Sequence, residues 1–329
     1  MEFNSADELW AYALGQLLRG ERHNSRAGAT REILGASLTL SNIDRNFVLN
    51  ADRCLDPAYA CAELLWYLSG SDDVSMIAAY APHYRRFADG DTAAGAYGKR
   101  WWADPAYRQR KPNGPGQLED VMRLLTLKPE TRQAVMVCWN AGDLVRAVDE
   151  NPRDVPCTLS LQFLVRGGFL HAIITMRSED AWLGLPYDLF AFSSLQQIIA
   201  QSLGLNLGRY VHQVGSLHLY SRDAERATGA ALAHAVQEAL DRGRHLTHAV
   251  TRSRFSLDSS INSALSAERV ARERQTFLSA TVDLPSSLLT DVANLCACYW
   301  TGVSVTDAVS SLLLKEAYHA NYRGARRRR

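Results

Sequence analysis

Residues 156–192, PCTLSLQFLVRGGFLHAIITMRSEDAWLGLPYDLFAF, hold the residues best placed to do chemistry. Cys157 follows Pro156 directly and stands at the mouth of an apolar run, 158–165. A second run, 169–176, is joined to it by Gly167-Gly168, a two-residue hairpin signal. Such a hairpin lays its strand ends side by side, which brings Arg177 next to Cys157. A cation beside a cysteine lowers the thiol pKa and raises the thiolate fraction, the nucleophilic form. The same spacing also fits an inert buried cysteine beside a surface arginine. Leu183-Gly184-Leu185-Pro186 then makes a turn, and Asp188 stands at the start of a helix.

The surrounding pattern supplies elements to position these groups. Residues 9–18 read as an amphipathic helix and residues 117–127 as helix-like. Residues 57–69 read as a strongly apolar helix enclosing one acid, Glu63. Residues 33–40, 47–49, 134–139 and 210–219 read as strands. Residues 24–30, 90–99 (ending near Tyr97) and 140–153 read as loops or polar connections. Residues 189–203 read as a buried helix stopped by Gly204. Beyond residue 222 the periodic stretches 224–242, 267–277, 289–299 and 305–318 read as helices, followed by a basic end at 325–329. This predicts an α+β catalytic core over residues 1–221 and a helical C-terminal extension, 222–329, packed on the same domain.

Composition narrows the class. The 329 residues are 47% hydrophobic, enough for a large core, and the 36 basic and 35 acidic residues leave a formal charge of +1. That balance argues against a nucleic-acid coat or a membrane surface. No stretch approaches the roughly 20 apolar residues of a membrane span, and residues 1–22 lack the pattern of a signal peptide. Cys54, Cys61, Cys138, Cys157, Cys296 and Cys298 lack the dense pairing of a disulfide scaffold, so a cytoplasmic protein with reduced thiols and no metal is expected.

The 156–192 segment resembles the thymidylate synthase family, whose signature is a Pro-Cys nucleophile, then Arg-Ser-x-Asp, then Leu-Gly-Leu-Pro-Phe/Tyr. Further segments resemble the family in its own order: Ala62-Glu63-Leu64-Leu65-Trp66-Tyr67-Leu68, Tyr97-Gly98-Lys99-Arg100-Trp101, Cys138-Trp139-Asn140, His218-Leu219-Tyr220-Ser221 and, more loosely, Arg26-Ala27-Gly28. The resemblance spans about residues 26–221. It implies a thymidylate synthase-like fold, a large twisted mixed sheet flanked by helices.

It also implies that Cys157 adds to C6 of a pyrimidine nucleoside monophosphate. C5 then takes a one-carbon unit from 5,10-methylenetetrahydrofolate. Arg26, Arg177 and Ser178 would bind the phosphate, and a homodimer would let Arg132 reach the partner's phosphate site. Gln162 would bind the nucleotide, and His218 and Tyr220 would hold the sugar O3′. Glu63 and Tyr97 would handle protons. Asp180, Gly184 and His83 would belong to the folate site, His83 lying near the position of a shielding Trp in methylating members.

Four departures bear on the product. Methylating members carry Asn where this chain has Asp188. An Asn amide complements uracil, whereas a carboxyl accepts from the cytosine N4 amino group and, when protonated, donates to N3. Asp188 thus resembles the deoxycytidylate hydroxymethylase branch and the CMP hydroxymethylase of the mildiomycin nucleoside-antibiotic type. Thr158 replaces the usual His, Gln133 replaces a second Arg after Arg132, and residues after about 222 lack clear resemblance. The expectation is a CMP/dCMP 5-hydroxymethylase in modified-nucleotide or antibiotic biosynthesis. Two alternatives are a thymidylate synthase methylating dUMP and a catalytically silent nucleotide- or RNA-binding regulator.

Overall fold

The computed structural model describes residues 1–25, 27–240, 257–277 and 287–327. In chain order its elements are β1 (Glu2–Phe3), α1 (Ala6–Leu17), β2 (Glu21–Ser25), β3 (Gly28–Leu40), α2 (Pro57–Ser69), α3 (Val74–Tyr80), α4 (Tyr97–Ala103), α5 (Pro105–Arg110), α6 (Gln117–Leu127), β4 (Val135–Val137), α7 (Ala141–Asp149), β5 (Thr158–Arg166), β6 (Phe169–Asp180), α8 (Leu185–Leu203), β7 (Asn206–Tyr220), α9 (Ala224–Leu240), α10 (Leu257–Arg274), α11 (Ser287–Thr301), α12 (Val305–Ala308) and α13 (Leu312–Arg327). The strands form one mixed seven-stranded sheet in the order β1-β3-β7-β6-β5-β4, with β2 paired to β3 off that path. β6 and β7 are parallel, so a crossover must join them. α8 is that crossover, and it is buried along almost its whole length, as a covered parallel pair requires. The α+β architecture with a helical C-terminal region agrees with the expectation.

Two elements carry most of the site. The β5–β6 hairpin turns at Gly167 and Gly168, whose φ of 56° and 79° lie in the left-handed region that glycine enters without a Cβ penalty. α2 begins and ends where the sequence places it. Asp56 accepts from the N–H groups of Ala58 and Tyr59, Pro57 sits in the first turn, and Gly70 closes the helix at φ 70°. The C-terminal helices pack behind α2. Cys296 on α11 lies 3.9 Å from the Ala58 carbonyl, and Tyr80 donates to Glu268 on α10 at 2.8 Å. The Tyr80 ring also meets Tyr299 and Trp300 of α11. Residues beyond 221 therefore brace the helix that carries Glu63, and one apolar core runs from Ala6 to Ala317. Residues 241–242 of the expected helix 224–242 lie outside the described residues.

Four local expectations are corrected. Phe47 and Val48 are buried and Leu49 half-buried, but residues 47–49 form no strand, because Oδ1 of Asp7 accepts the N–H groups of Leu49 (2.9 Å) and Asn50 (3.1 Å) in place of a ladder. Most of the expected loop at 24–30 is the end of the β2–β3 hairpin, with Ser25 paired to Gly28. The expected loop running to residue 99 gives way at Tyr97, which opens α4. The polar connection at 140–153 contains α7, started by a capping box in which Asn140 and Asp143 each satisfy the other's backbone.

α4 and α7 are clamped together. The Arg100 guanidinium makes two 2.7 Å bonds to the Asp143 carboxylate, with both side chains over nine-tenths buried. It also donates to the carbonyls of Ala94 and Cys138. A buried pair that loses one partner strands the other charge, at a cost of about 3–5 kcal/mol. Asp143→Ala is expected to lower unfolding stability by that amount in urea titration. The paired change Arg100→Met with Asp143→Leu is expected to cost less.

Candidate active site

Pro156 has no N–H to give a ladder, so β5 begins only after Cys157. The Cys157 carbonyl accepts from the Arg177 N–H at 2.8 Å, which fixes the two residues side by side. The Arg177 guanidinium donates to the carbonyls of Pro156 (2.9 Å) and Val155 (3.1 Å). It lies 3.7 Å from the Cys157 sulfur and 5.6 Å from the Trp139 ring centroid. Gly215 faces this point from β7, where any Cβ would crowd the Arg177 carbonyl.

The expected lowering of the thiol pKa is not the net result. Burial pushes Cys157 up to about 12, Arg177 opposes it, and the carboxyls of Glu179, Asp188 and Asp154 add to the rise. Desolvation outweighs one cation here.

Beside the cysteine three carboxyl groups converge from three elements: Glu63 on α2, Glu179 on β6 and Asp188 on α8, each less than a tenth exposed. Tyr59 donates to Oε1 of Glu63 at 2.7 Å, and Tyr67 also bonds that carboxyl. Burial first, then the charge of Asp188, raises Glu63 to about 8. Burial raises Glu179, and its hydrogen bond with Asp188 opposes the rise. Asp188 is raised well above the ordinary carboxylate range, by burial and then by Glu179. It sits in the first turn of α8, where the helix dipole favours an anion. Burial and a like charge win.

Tyr97 is hydrogen-bonded to Thr158, within electrostatic reach of Cys157 and Asp188, and packs on Tyr67 and Phe192.

A second group lies at the ends of β6 and β7. Asp180 pairs in register with His218 and Ser178 with Ser216. Oδ1 of Asp180 accepts the N–H groups of Trp182 (2.8 Å) and Leu183 (3.1 Å). His218 and Tyr220 stand ring edge to ring face, 5.2 Å between centroids. Arg222 covers Tyr220 at 3.9 Å and reaches the Ala27 carbonyl at 3.4 Å. Gly184 opens α8, and a Cβ there would overlap Oε1 of Glu179.

Other expected site residues stand apart from these groups or cannot be placed. Arg132 is exposed ahead of β4, where its carbonyl accepts from Gln162 Nε2 at 2.9 Å. Gln162 lies four residues along β5 from Thr158, roughly 13 Å at strand rise. His83 is exposed on the 3₁₀ turn Pro82–Arg86. It is the next residue, Tyr84, that packs on Trp66 and lies within electrostatic reach of Glu63, Asp188 and Cys157. Arg26 lies outside the described residues.

Glu179, Tyr59, Tyr84 and His212 were not singled out in the sequence. Along β6 and β7 the buried residues are even-numbered through Met176 and Val214, then odd-numbered from Glu179 and Leu217. Simple alternation would turn Glu179 outward. The signals that were available are the i, i+4 spacing of Tyr59 and Glu63 and the glycine at 184.

With this geometry in place, the comparison with known families is direct. The thymidylate synthase family matches residues 16–244, more than two thirds of the chain, and the chain belongs to that family. The match runs past residue 221 through the whole of α9, so family resemblance extends beyond the limit expected from sequence motifs. Membership makes this a folate-dependent enzyme of one-carbon transfer to a pyrimidine nucleotide, with methylenetetrahydrofolate as co-substrate. Among the described residues no helix is long and apolar enough to cross a membrane, and no group of three His, Cys, Asp or Glu could hold a metal ion.

The Cys157–Arg177 contact predicts a reactivity change. An opposite charge at this range is worth about one pKa unit or more. Arg177→Gln should raise the thiol pKa and cut the thiolate fraction at fixed pH on the order of tenfold. The rate of Cys157 alkylation by iodoacetamide across a pH series is the measurement.

Proposed function

We propose that this chain is a CMP/dCMP 5-hydroxymethylase. The observation that carries the reading is Asp188, a buried carboxyl whose proton is strongly favoured and which lies within electrostatic reach of the Cys157 thiol. A neutral carboxyl offers one O–H and one carbonyl oxygen, the complement of cytosine N3 and N4. It mismatches the N3–H of uracil, and a buried mismatched polar group costs roughly 1–3 kcal/mol.

In this reading Cys157 adds as thiolate to C6 and makes C5 nucleophilic. Arg177, which touches the thiol and keeps a solvent-facing side, binds the phosphate together with Ser178 and Arg26. Arg132 stands away from Cys157 within its own chain, which suits a role in a homodimer, donated to the phosphate of the second copy. His218 and Tyr220 hold the sugar, and Gln162 completes the nucleotide contacts. Glu63, with its pKa near neutrality, exchanges protons at the base, and Tyr97 does so beside the thiol.

Methylenetetrahydrofolate supplies the carbon at the oxidation level of formaldehyde. Asp180, Gly184 and His83 would border it. The carboxylate of Asp180 is already oriented by two backbone N–H groups at the turn into α8, and an acceptor so fixed suits a ligand rich in N–H donors. Water rather than hydride then completes the transfer, which gives hydroxymethyl.

The test is mass spectrometry of nucleotides incubated with the protein and methylenetetrahydrofolate. A gain of one CH₂O on CMP or dCMP is expected, and the faster substrate identifies the sugar. A CH₂ gain on dUMP with dihydrofolate released would make the protein a thymidylate synthase. No gain on any nucleotide, with nucleotide binding retained, would make it a silent binder.

A further inference from the structure

The reading of Asp188 leaves open what keeps its proton in place, and the structure supplies a neighbour with no part in the mechanism above. Glu179 occupies the variable position of the Arg-Ser-x-Asp segment, and the face switch in β6 turns it inward, 3% exposed. One side of its carboxyl meets Gly184, where only a glycine leaves room for Oε1. The other oxygen, Oε2, lies 3.5 Å from Nε2 of His212 on β7, itself fully buried. Neither atom has a hydrogen-bond partner among the described residues.

His212 Nδ1 lies 2.8 Å from the Tyr210 hydroxyl, which has no other role in view. If the hydroxyl donates, the imidazole proton sits on Nε2 and points at Glu179. Burial holds His212 down at about 4, so the 3.5 Å contact joins a neutral ring to the Glu179 carboxyl and is not an ion pair.

Among the described residues, the ionisable groups facing the two carboxyls are Glu63 and Tyr67 from α2, Tyr84 from the turn after α3, Tyr97 from α4, Cys157 ahead of β5, and Tyr210 with His212 from β7. Cys138 and Asp180 lie at the margin. None of these carries positive charge at neutral pH. Two ionised carboxylates in hydrogen-bond contact here would be uncompensated, and such pairs keep one proton.

We propose that Glu179 is a positioning residue that holds this shared proton on Asp188: the His212 N–H steadies Glu179 as the carboxylate, which leaves Asp188 as the acid that meets the base. Between the two carboxyls the Asp188 O–H is donated to Glu179. Cytosine N3 competes for that proton, and uracil N3–H does not. The inference rests on the cytosine reading of Asp188 and names the group that makes the reading work at neutral pH.

The test uses the full-length protein and its Glu179→Gln variant. The quantities are kcat/KM for dCMP against pH, and the dCMP and dUMP dissociation constants in a Cys157→Ala background. Removing the Glu179 charge lowers the Asp188 pKa. The alkaline limb should therefore move to lower pH by about one unit or more, and dCMP binding at pH 8 should weaken about tenfold while dUMP binding does not. The loss should fall mainly on KM. An unmoved limb and an unchanged dCMP to dUMP ratio would overturn the proposal. Should Glu179→Gln not fold, His212→Phe removes the N–H that favours charge on Glu179, so the shared proton moves toward Glu179; dCMP binding at pH 7 should weaken while dUMP binding does not, and an unchanged dCMP to dUMP ratio would contradict the proposal. Wild-type protein that prefers dUMP would contradict the cytosine reading itself. The proton placement would then be judged separately, by whether Glu179→Gln moves the pH dependence of dUMP turnover.

Discussion

The candidate active site is governed by the desolvation of acids. Glu63, Glu179 and Asp188 are brought from a helix, a strand and a second helix into one water-poor space beside Cys157, and burial is the largest influence on each. A buried carboxylate without a cation is costly, so the cheaper state keeps protons on the cluster at neutral pH. Among the described residues the cation in contact with the thiol is Arg177, which lies on the exposed side, tied to backbone carbonyls and a tryptophan face. The site is thus split into a cationic rim suited to a phosphate and an acidic floor suited to a base.

The rest of the fold holds this cluster against its own repulsion. α8 is both the crossover of the parallel β6–β7 pair and the carrier of Asp188, so the acid is anchored in a helix buried along almost its whole length. α2 carries Glu63 and is held at one end by its Asp56 cap and Gly70 stop, and from behind by α10 and α11. α4 carries Tyr97 and is locked to α7 by the Arg100–Asp143 bonds. Tyr59 gives the Glu63 carboxylate the hydrogen bond that burial denies it from water.

Much of this was legible in the residue order, and the exceptions have physical causes. α2 could be read to the residue, and the β5–β6 hairpin at its start and turn, because these points are marked by Asp, Pro and Gly, whose backbone and capping preferences act locally; the two strands run past their expected ends, to Arg166 and Asp180. Residues 47–49 misled because the amide groups of Leu49 and of Asn50 after it are satisfied by Asp7, some forty residues away in sequence. α7 was hidden by its polar composition although its capping box was present at Asn140 and Asp143. Among site residues, Cys157 and Arg177 were placed together by hairpin geometry alone. Glu179 was not found because a switch of buried face shared by two strands inverts the alternation on which such a reading depends. The displacement of His83 by Tyr84 as the inward-facing residue reflects a 3₁₀ turn that no period in the sequence marks.

The account stands on a carboxyl that stays protonated in neutral solution, and infrared spectroscopy observes that proton directly. Difference spectra of the wild-type protein and Asp188→Asn at pH 7, with and without deuterium exchange, should contain the C=O stretch of a protonated carboxylic acid that is absent from the variant. That band should persist in the wild type until the pH is raised well beyond the ordinary carboxylate range. A spectrum at pH 7 with only ionised carboxylate bands at this position would contradict the account, because Asp188 would then have no O–H to offer a base.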